Sequence, residues 1–323
     1  VYSKSRRRRG APVDNWVNCF VRGLATEAPD VPDNVPCDGQ TTEKAIEVLQ
    51  QIKDKPFFLG VGFLKPHIPF VAPKKYWDLY KREDIRLAKN RTRPQNTPDM
   101  AFPKGTEMRA YYDIPDEKNV SDEKARTLIH GYYACVSYVD AQVGRVIGEL
   151  ERLGLRENTI IILWGDHGWK LGEYNSWSKK TNFELDTRVP MIISVPGQKR
   201  TGEKTTALVE FLDIYPTLSE LCKLPIPKHC QGLSMVPLLE NPNRKFKDAA
   251  YSQFPRKEYG VMGYSMRTDR YRYAEWIKDG KAIEKELYDH KNDPQENRNV
   301  VNEPENRQLI KKMSQMLRKG RRE

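Results

Sequence analysis

The apolar residues of this chain fall into three kinds of pattern, and each predicts a different kind of element. Residues 1–40 carry no clear period and include Pro12, Pro29, Pro32 and Pro36, so they read as an extended segment. Thr41 and Thr42 then offer helix-start hydroxyls, and Ala45, Ile46, Leu49 and Ile52 recur at helical spacing. The apolar run Phe57–Leu64 predicts a buried strand that ends in Lys65-Pro-His-Ile-Pro-Phe70. Residues 73–116 mix proline and charge in an excursion of a length that is usually functional or locally structured. Ser121, with Asp122 and Glu123 behind it, starts the longest helix. Its expected stripe is Leu128, Tyr132, Val136, Val139, Val143, Val146, Leu150 and Leu153, and Gly154 stops it.

Short β-branched runs at Asn158–Leu163 and Val189–Val195 predict two more strands, and residues 208–221 read as a strand edge feeding a helix. Helix alternating with apolar strand points to an α/β fold with a mostly parallel sheet and helices on both faces. After Pro237–Asn243 the pattern changes to Ala250–Phe254, Tyr259–Tyr264, Tyr271–Ile277 and Glu286–Asp289, then a helix at 303–318. This predicts a small C-terminal α+β subdomain built on an antiparallel sheet. The expected division is an extended segment at 1–40, an α/β core at 41–240 and the subdomain at 241–323; no internal repeat is visible.

Composition narrows the partners. At 323 residues, 38% hydrophobic and 31% charged, the chain can bury a large core, and no apolar run approaches the roughly 20 residues that span a bilayer. Lys and Arg exceed Asp and Glu by 55 to 44, giving +11, which favours polyanionic partners. Arg6–Arg9 and the tail residues Lys311, Lys312, Arg318, Lys319, Arg321 and Arg322 carry part of this surplus. No zinc-finger, RNA-binding or helix-turn-helix signature accompanies them, so neither nucleic acid nor membrane is the expected partner. Of the five cysteines, Cys19, Cys37, Cys135, Cys222 and Cys230, none forms a CxxC pair. Cys222 and Cys230 flank a proline-containing loop and could form a disulfide in an oxidising compartment; Cys135 reads as a core residue. The chain opens at Val1 in a basic, non-initiator context, so its true N-terminus is expected upstream.

The most chemical segment is Trp164-Gly-Asp-His-Gly-Trp169, at the carboxyl end of an expected strand, where open α/β sheets bind ligands. Asp166 and His167 can offer an oxygen and a nitrogen to one divalent cation, and Lys179 can reach an anion held there. Taken singly, each has a plainer reading as a loop hydrogen-bonder or a solvated lysine. His67, between Pro66 and Pro69, suits either a preorganised catalytic group or an ordinary turn. His130, His229 and His290 lack such context and read as structural.

Together these motifs resemble the sulfatase family, closest to the iduronate-2-sulfatases and their bacterial relatives. The resemblance rests on Lys65-Pro-His-Ile-Pro-Phe70 and on Gly165-Asp-His-Gly-Trp169 with Leu171-Gly-Glu173 and Lys179. Ser137-Tyr-Val-Asp140, Ala250-Tyr-Ser-Gln253, Met262–Thr268 and Glu286-Leu-Tyr288 extend it, so that it runs from about Pro29 to the end. It implies an alkaline-phosphatase-like fold, with Asp166 and His167 ligating calcium and Lys179 contacting a sulfate oxygen or the leaving group. His67 would protonate the departing alkoxide, with Lys65 and Trp169 on the substrate side. The implied substrate is a sulfated glycosaminoglycan-type polysaccharide or oligosaccharide, and the implied compartment is periplasmic, extracellular or lysosomal.

Two departures matter. The family's nucleophile, a Cys or Ser matured to formylglycine within C/S-x-P/A-x-R, has no counterpart here: Cys19 precedes Phe-Val-Arg22, and no other cysteine has Arg at that spacing. The family's N-terminal paired aspartates and catalytic lysine are also missing. Further, Tyr174 follows Glu173 where relatives usually carry His. The expectation is therefore a C-terminal portion of a longer sulfatase, inactive alone. The alternatives are a phosphatase or phosphodiesterase of the same superfamily, needing two metals, and a non-catalytic binder of sulfated polysaccharide.

Overall fold

The computed structural model describes residues 6–7, 20–21, 23–105, 107–114 and 119–320; Arg8, Arg9, Cys19, Arg321 and Arg322 lie outside these. The chain resolves into two compact units, each discontinuous in sequence. One comprises Val1–Arg91, Gly105–Thr159 and Lys170–Ser178; the other comprises Thr92–Lys104, Ile160–Trp169 and Lys179–Glu323.

In the first unit, helix α1 spans Cys37–Ile52. It begins four residues before the expected Thr41, because Pro36 holds the extended N-cap conformation (φ −69°, ψ 158°) from which a helix can start. Asp38 sits in the first turn, where the helix dipole favours a carboxylate. A side chain at Gly39 would place its Cβ 1.8 Å from the Asp33 carbonyl oxygen, so only glycine lets this turn settle there. The long helix α2 spans Asp122–Arg152, capped by the Ser121 hydroxyl, which accepts the Lys124 N–H at 3.2 Å. It ends before Gly154, whose φ of +69° suits a glycine stop. Its buried face holds Ala125, Leu128, Ala134, Cys135, Tyr138, Gln142 and Leu150. Val136, expected on that stripe, is instead 41% exposed.

Phe57–Leu64, expected as a strand, has no ladder partner among the described residues. Its covering still alternates as a strand's would: Phe57, Leu59, Val61 and Phe63 are half-buried, whereas Phe58 is 86% and Leu64 64% exposed. Beyond it, Phe70–Val71 pairs in parallel with Thr26–Glu27. Gly131 of α2 lies close against this pair, its missing Cβ only 2.8 Å from Phe70 and Trp77 atoms.

In the second unit, strands β1 (Ile161–Trp164) and β2 (Met191–Ser194) pair with Ile161 opposite Ser194 and Trp164 opposite Met191. The α/β class is as expected, but this pair runs antiparallel. Short apolar runs carry no mark of strand direction, which is set by connection geometry. The C-terminal sheet is the expected antiparallel meander, in the order of the chain: β3 (Ala250–Arg256), β4 (Val261–Arg267), β5 (Tyr271–Lys278) and β6 (Lys281–Asp289). Asp279-Gly280 joins the last two with positive φ at both positions (47° and 73°), the two-residue turn whose twist matches a hairpin. Helix α3 (Arg307–Gly320) packs Met313 and Leu317 onto Ala249, Met266, Tyr273 and Leu287. Arg272, fully buried, lies between the rings of Phe183 and Tyr288 (4.5 and 4.4 Å) and donates to Glu296 at 2.5 Å. Among the described residues no helix is long and apolar enough to cross a membrane.

Candidate active site

The first unit presents His67 on a loop braced from two sides. The Asp38 carboxylate, 2% exposed, accepts the Leu64 N–H at 2.8 Å on one oxygen and the Lys65 N–H at 2.9 Å on the other. The Lys65 ammonium donates to the His67 and Pro69 carbonyls at 3.2 and 2.7 Å. Two of its three donors are thus engaged within the loop itself. Both X–Pro bonds of the loop, Lys65-Pro66 and Ile68-Pro69, are cis. The imidazole Nδ1 lies 2.6 Å from the Ile68 carbonyl oxygen, and Nε2 lies 3.5 Å from Glu107 Oε2. A carbonyl oxygen can only accept, so this contact requires the proton on Nδ1 and leaves Nε2 with its lone pair in the neutral ring.

The second unit presents Asp166 and His167 where β1 ends. The His167 Nδ1 meets the Gly168 carbonyl at 2.8 Å, which by the same argument places its proton there and turns the Nε2 lone pair outward. Nε2 lies 3.5 Å from Asp166 Oδ2, and the His167 N–H donates to Asp166 Oδ1 at 3.0 Å. Donors at adjacent corners of a cation with bonds of about 2.3–2.6 Å sit roughly 3.3–3.7 Å apart. The pair therefore fits two corners of a calcium site. Calcium takes about 6–8 oxygen-rich ligands, and among the described residues no group of three or more His, Cys, Asp or Glu side chains could hold a metal. The Asp166 carboxylate is 85% exposed.

Gly168 follows for a backbone reason: a Cβ there would lie 1.9 Å from the Leu185 carbonyl oxygen, and its N–H donates to the Asp186 carbonyl at 2.9 Å. Lys179 Nζ lies 5.0 Å from the centre of the Trp169 ring, a cation–π distance. Its neighbour Lys180 takes a left-handed conformation (φ 73°), and the buried Arg256 guanidinium donates to the Lys180 carbonyl at 2.6 Å. Thr181 is tied through N–H and hydroxyl to Asp186 at 2.8 and 2.6 Å. The stretch after Lys179 is therefore fixed by buried polar contacts. In the first unit, Glu173 closes its own turn on the Leu171 N–H at 2.6 Å, and Tyr174 is buried.

Two other histidines, read from the sequence as structural, make internal contacts: His130 meets the Trp77 carbonyl at 2.8 Å and His290 meets Glu296 at 2.9 Å. Cys222 and Cys230 are free thiols, so the disulfide considered for them is not formed. Asp38 and Glu107 were invisible in the sequence as site residues. Asp38 reaches the His67 loop across 26 positions and Glu107 lies in the long excursion, so neither carries a local signal.

Residues 16–224 match the family described as "Sulfatase", and residues 172–323 match "N-sulphoglucosamine sulphohydrolase, C-terminal". Iduronate 2-sulfatase of Mus musculus is 34% identical over 318 residues, covering 78% of this chain and 57% of its own length. The chain thus spans a little over half of that relative. Among solved structures, a phosphonate monoester hydrolase of Agrobacterium radiobacter superposes with a TM-score of 0.79 at 23% identity, covering 92% of this chain and 63% of its own. A protein solved with its substrate D-glucosamine-2-N,6-O-disulfate gives 0.75 at 22% identity, covering 87% of this chain and 68% of its own. At such identities these two likenesses speak for the fold, an alkaline-phosphatase-like one.

Proposed function

The chain belongs to the sulfatase family, and we propose that it is the C-terminal portion of a sulfuric ester hydrolase of the iduronate-2-sulfatase kind. Its substrate would be a sulfated glycosaminoglycan-type sugar, and its compartment periplasmic, extracellular or lysosomal. The observation that carries this reading is the convergence of Asp166 Oδ2 and His167 Nε2 at 3.5 Å with the histidine's other nitrogen committed to Gly168. Asp166 and His167 would hold the calcium. That ion, when bound, supplies positive charge against sulfate oxygens.

The chain's own residues would do the rest. Lys179, with its ammonium over Trp169, would neutralise a further sulfate oxygen or the leaving group. Trp169 would flank the sugar. His67 would act as general acid, giving a proton from Nε2 to the departing alkoxide; Glu107, 3.5 Å away, would pair with the imidazolium before transfer. A sulfate ester needs both kinds of help, because its oxygens repel a nucleophile and its alkoxide leaves poorly.

The nucleophile, a formylglycine, would come from residues outside this chain. Coverage of 57% of a relative and five cysteines without a maturation motif support that view. So does the unladdered, half-covered strand pattern of Phe57–Leu64. The test is sulfate release from an aryl sulfate and a sulfated uronate, by this chain alone and by the chain continued upstream through a formylglycine shown by mass spectrometry. Release by the continued polypeptide alone is expected. Release by the short chain would overturn the fragment reading. No release by the matured polypeptide, with turnover of a phosphonate or phosphate ester instead, would overturn the sulfatase reading.

A further inference from the structure

We propose that Lys65 and Asp38 are positioning residues for His67: together they fix which imidazole nitrogen carries the proton and which faces outward. The inference rests on the reading of His67 as the general acid, and it gives Lys65 a part different from the substrate contact its family resemblance implied.

Lys65 Nζ gathers the carbonyls of His67 and Pro69, which flank Ile68 on both sides. The Ile68 carbonyl is left to the imidazole, and it takes Nδ1 at 2.6 Å. Asp38 holds the other end of the loop through the successive N–H groups of Leu64 and Lys65, and it does so from the first turn of α1, which Gly39 seats against Asp33. A buried carboxylate accepting two N–H groups and an ammonium donating to two carbonyls are strong, oriented contacts. Neither touches the imidazole. Both set the carbonyl that does.

Free histidine favours no such arrangement, so a ring held as Nδ1–H is a signature of the brace rather than of the side chain. A general acid delivers its proton from the nitrogen that faces the substrate, and a ring that flips or changes tautomer would present the wrong one. The brace matters to the chemistry by removing that choice.

The test uses the 323-residue chain itself with ¹⁵N-labelled histidine; five histidines keep the spectrum tractable, and a His67→Gln variant identifies the His67 signals. Above the titration of the ring, wild type is expected to show a single Nδ1–H tautomer for His67. Lys65→Met and Asp38→Asn are expected to lose it, giving a mixture with Nε2–H, while Lys65→Arg retains most of it. The signals of His290, in the other unit, should not move in any of the three. A wild-type ring protonated on Nε2, or an unchanged tautomer in Lys65→Met, would overturn the proposal. Should Asp38→Asn fail to fold, the Lys65 pair decides alone. None of these readouts involves turnover. If the tautomer behaves as stated but His67→Gln leaves sulfate release intact in the matured polypeptide, the general-acid reading fails and the positioning inference stands.

Discussion

The two loops that carry candidate chemistry are built on opposite principles. The His67 loop is finished within this chain: a carboxylate 2% exposed and a lysine ammonium hold its backbone, and its ring is committed at Nδ1. The Asp166–His167 turn is prepared but open. Its two donor atoms converge at 3.5 Å, yet the carboxylate is 85% exposed and finds no further ligands among the described residues. The contrast teaches that two aspartates near candidate chemistry can differ wholly in kind. Asp38 is part of the scaffold. Asp166 is an exposed carboxylate for which a metal-ligating role is proposed.

The sharpest way to break that contrast is to remove each carboxylate. Asp38→Ala strips two backbone N–H groups of their buried acceptor, so urea unfolding should show a loss of about 3–5 kcal/mol. Asp166→Ala should stay within about 0.5 kcal/mol, as exposed substitutions do. Equal effects would dissolve the distinction.

Glycines give a second, smaller comparison within the open turn. Gly168→Ala drives a Cβ to 1.9 Å from the Leu185 carbonyl oxygen, and backbone must move. A loss of about 2–3 kcal/mol is expected by thermal or urea unfolding. Gly165→Ala meets Val189 and Pro190 side-chain atoms at 3.5 and 3.6 Å, ordinary contact distances, and should cost less than about 1 kcal/mol. A Gly168→Ala chain as stable as wild type would mean that the turn is not seated on Leu185.

The least disruptive comparison uses thiols. Burial pushes the Cys135 thiol up to about 12, opposed in small part by the Lys65 charge, whereas Cys37 and Cys222 are exposed. At pH 8 a thiol reagent should label Cys37 and Cys222 and leave Cys135 protected until the chain unfolds. Lys65→Met should shorten that protection, and Asp166→Ala should not. Mass spectrometry of the labelled peptides reads the difference.

What was legible in the sequence follows the same division. Asp166 and His167 stand next to each other at a strand end, so the metal-binding role proposed for them rests on a local pattern. The meander after Ala250 was legible too, because turns such as Asp279-Gly280 and alternating strands are local devices. The Asp38 brace was not, since a carboxylate acting 26 residues away leaves no trace in periodicity. The antiparallel direction of β1 and β2 was equally hidden, because a buried strand reads the same in either sense. The stripe of α2 was misplaced at Val136 for a related reason: which side of a long helix is covered depends on what the tertiary fold sets against it.

The central claim is that Asp166 and His167 are half of a single-cation site completed from outside this chain. Metal content of the matured, upstream-continued polypeptide tests it most directly, measured by mass spectrometry after dialysis against metal-free buffer. The expected result is one calcium per molecule, lost in Asp166→Ala. Two metals per molecule, or one calcium retained by Asp166→Ala, would contradict it.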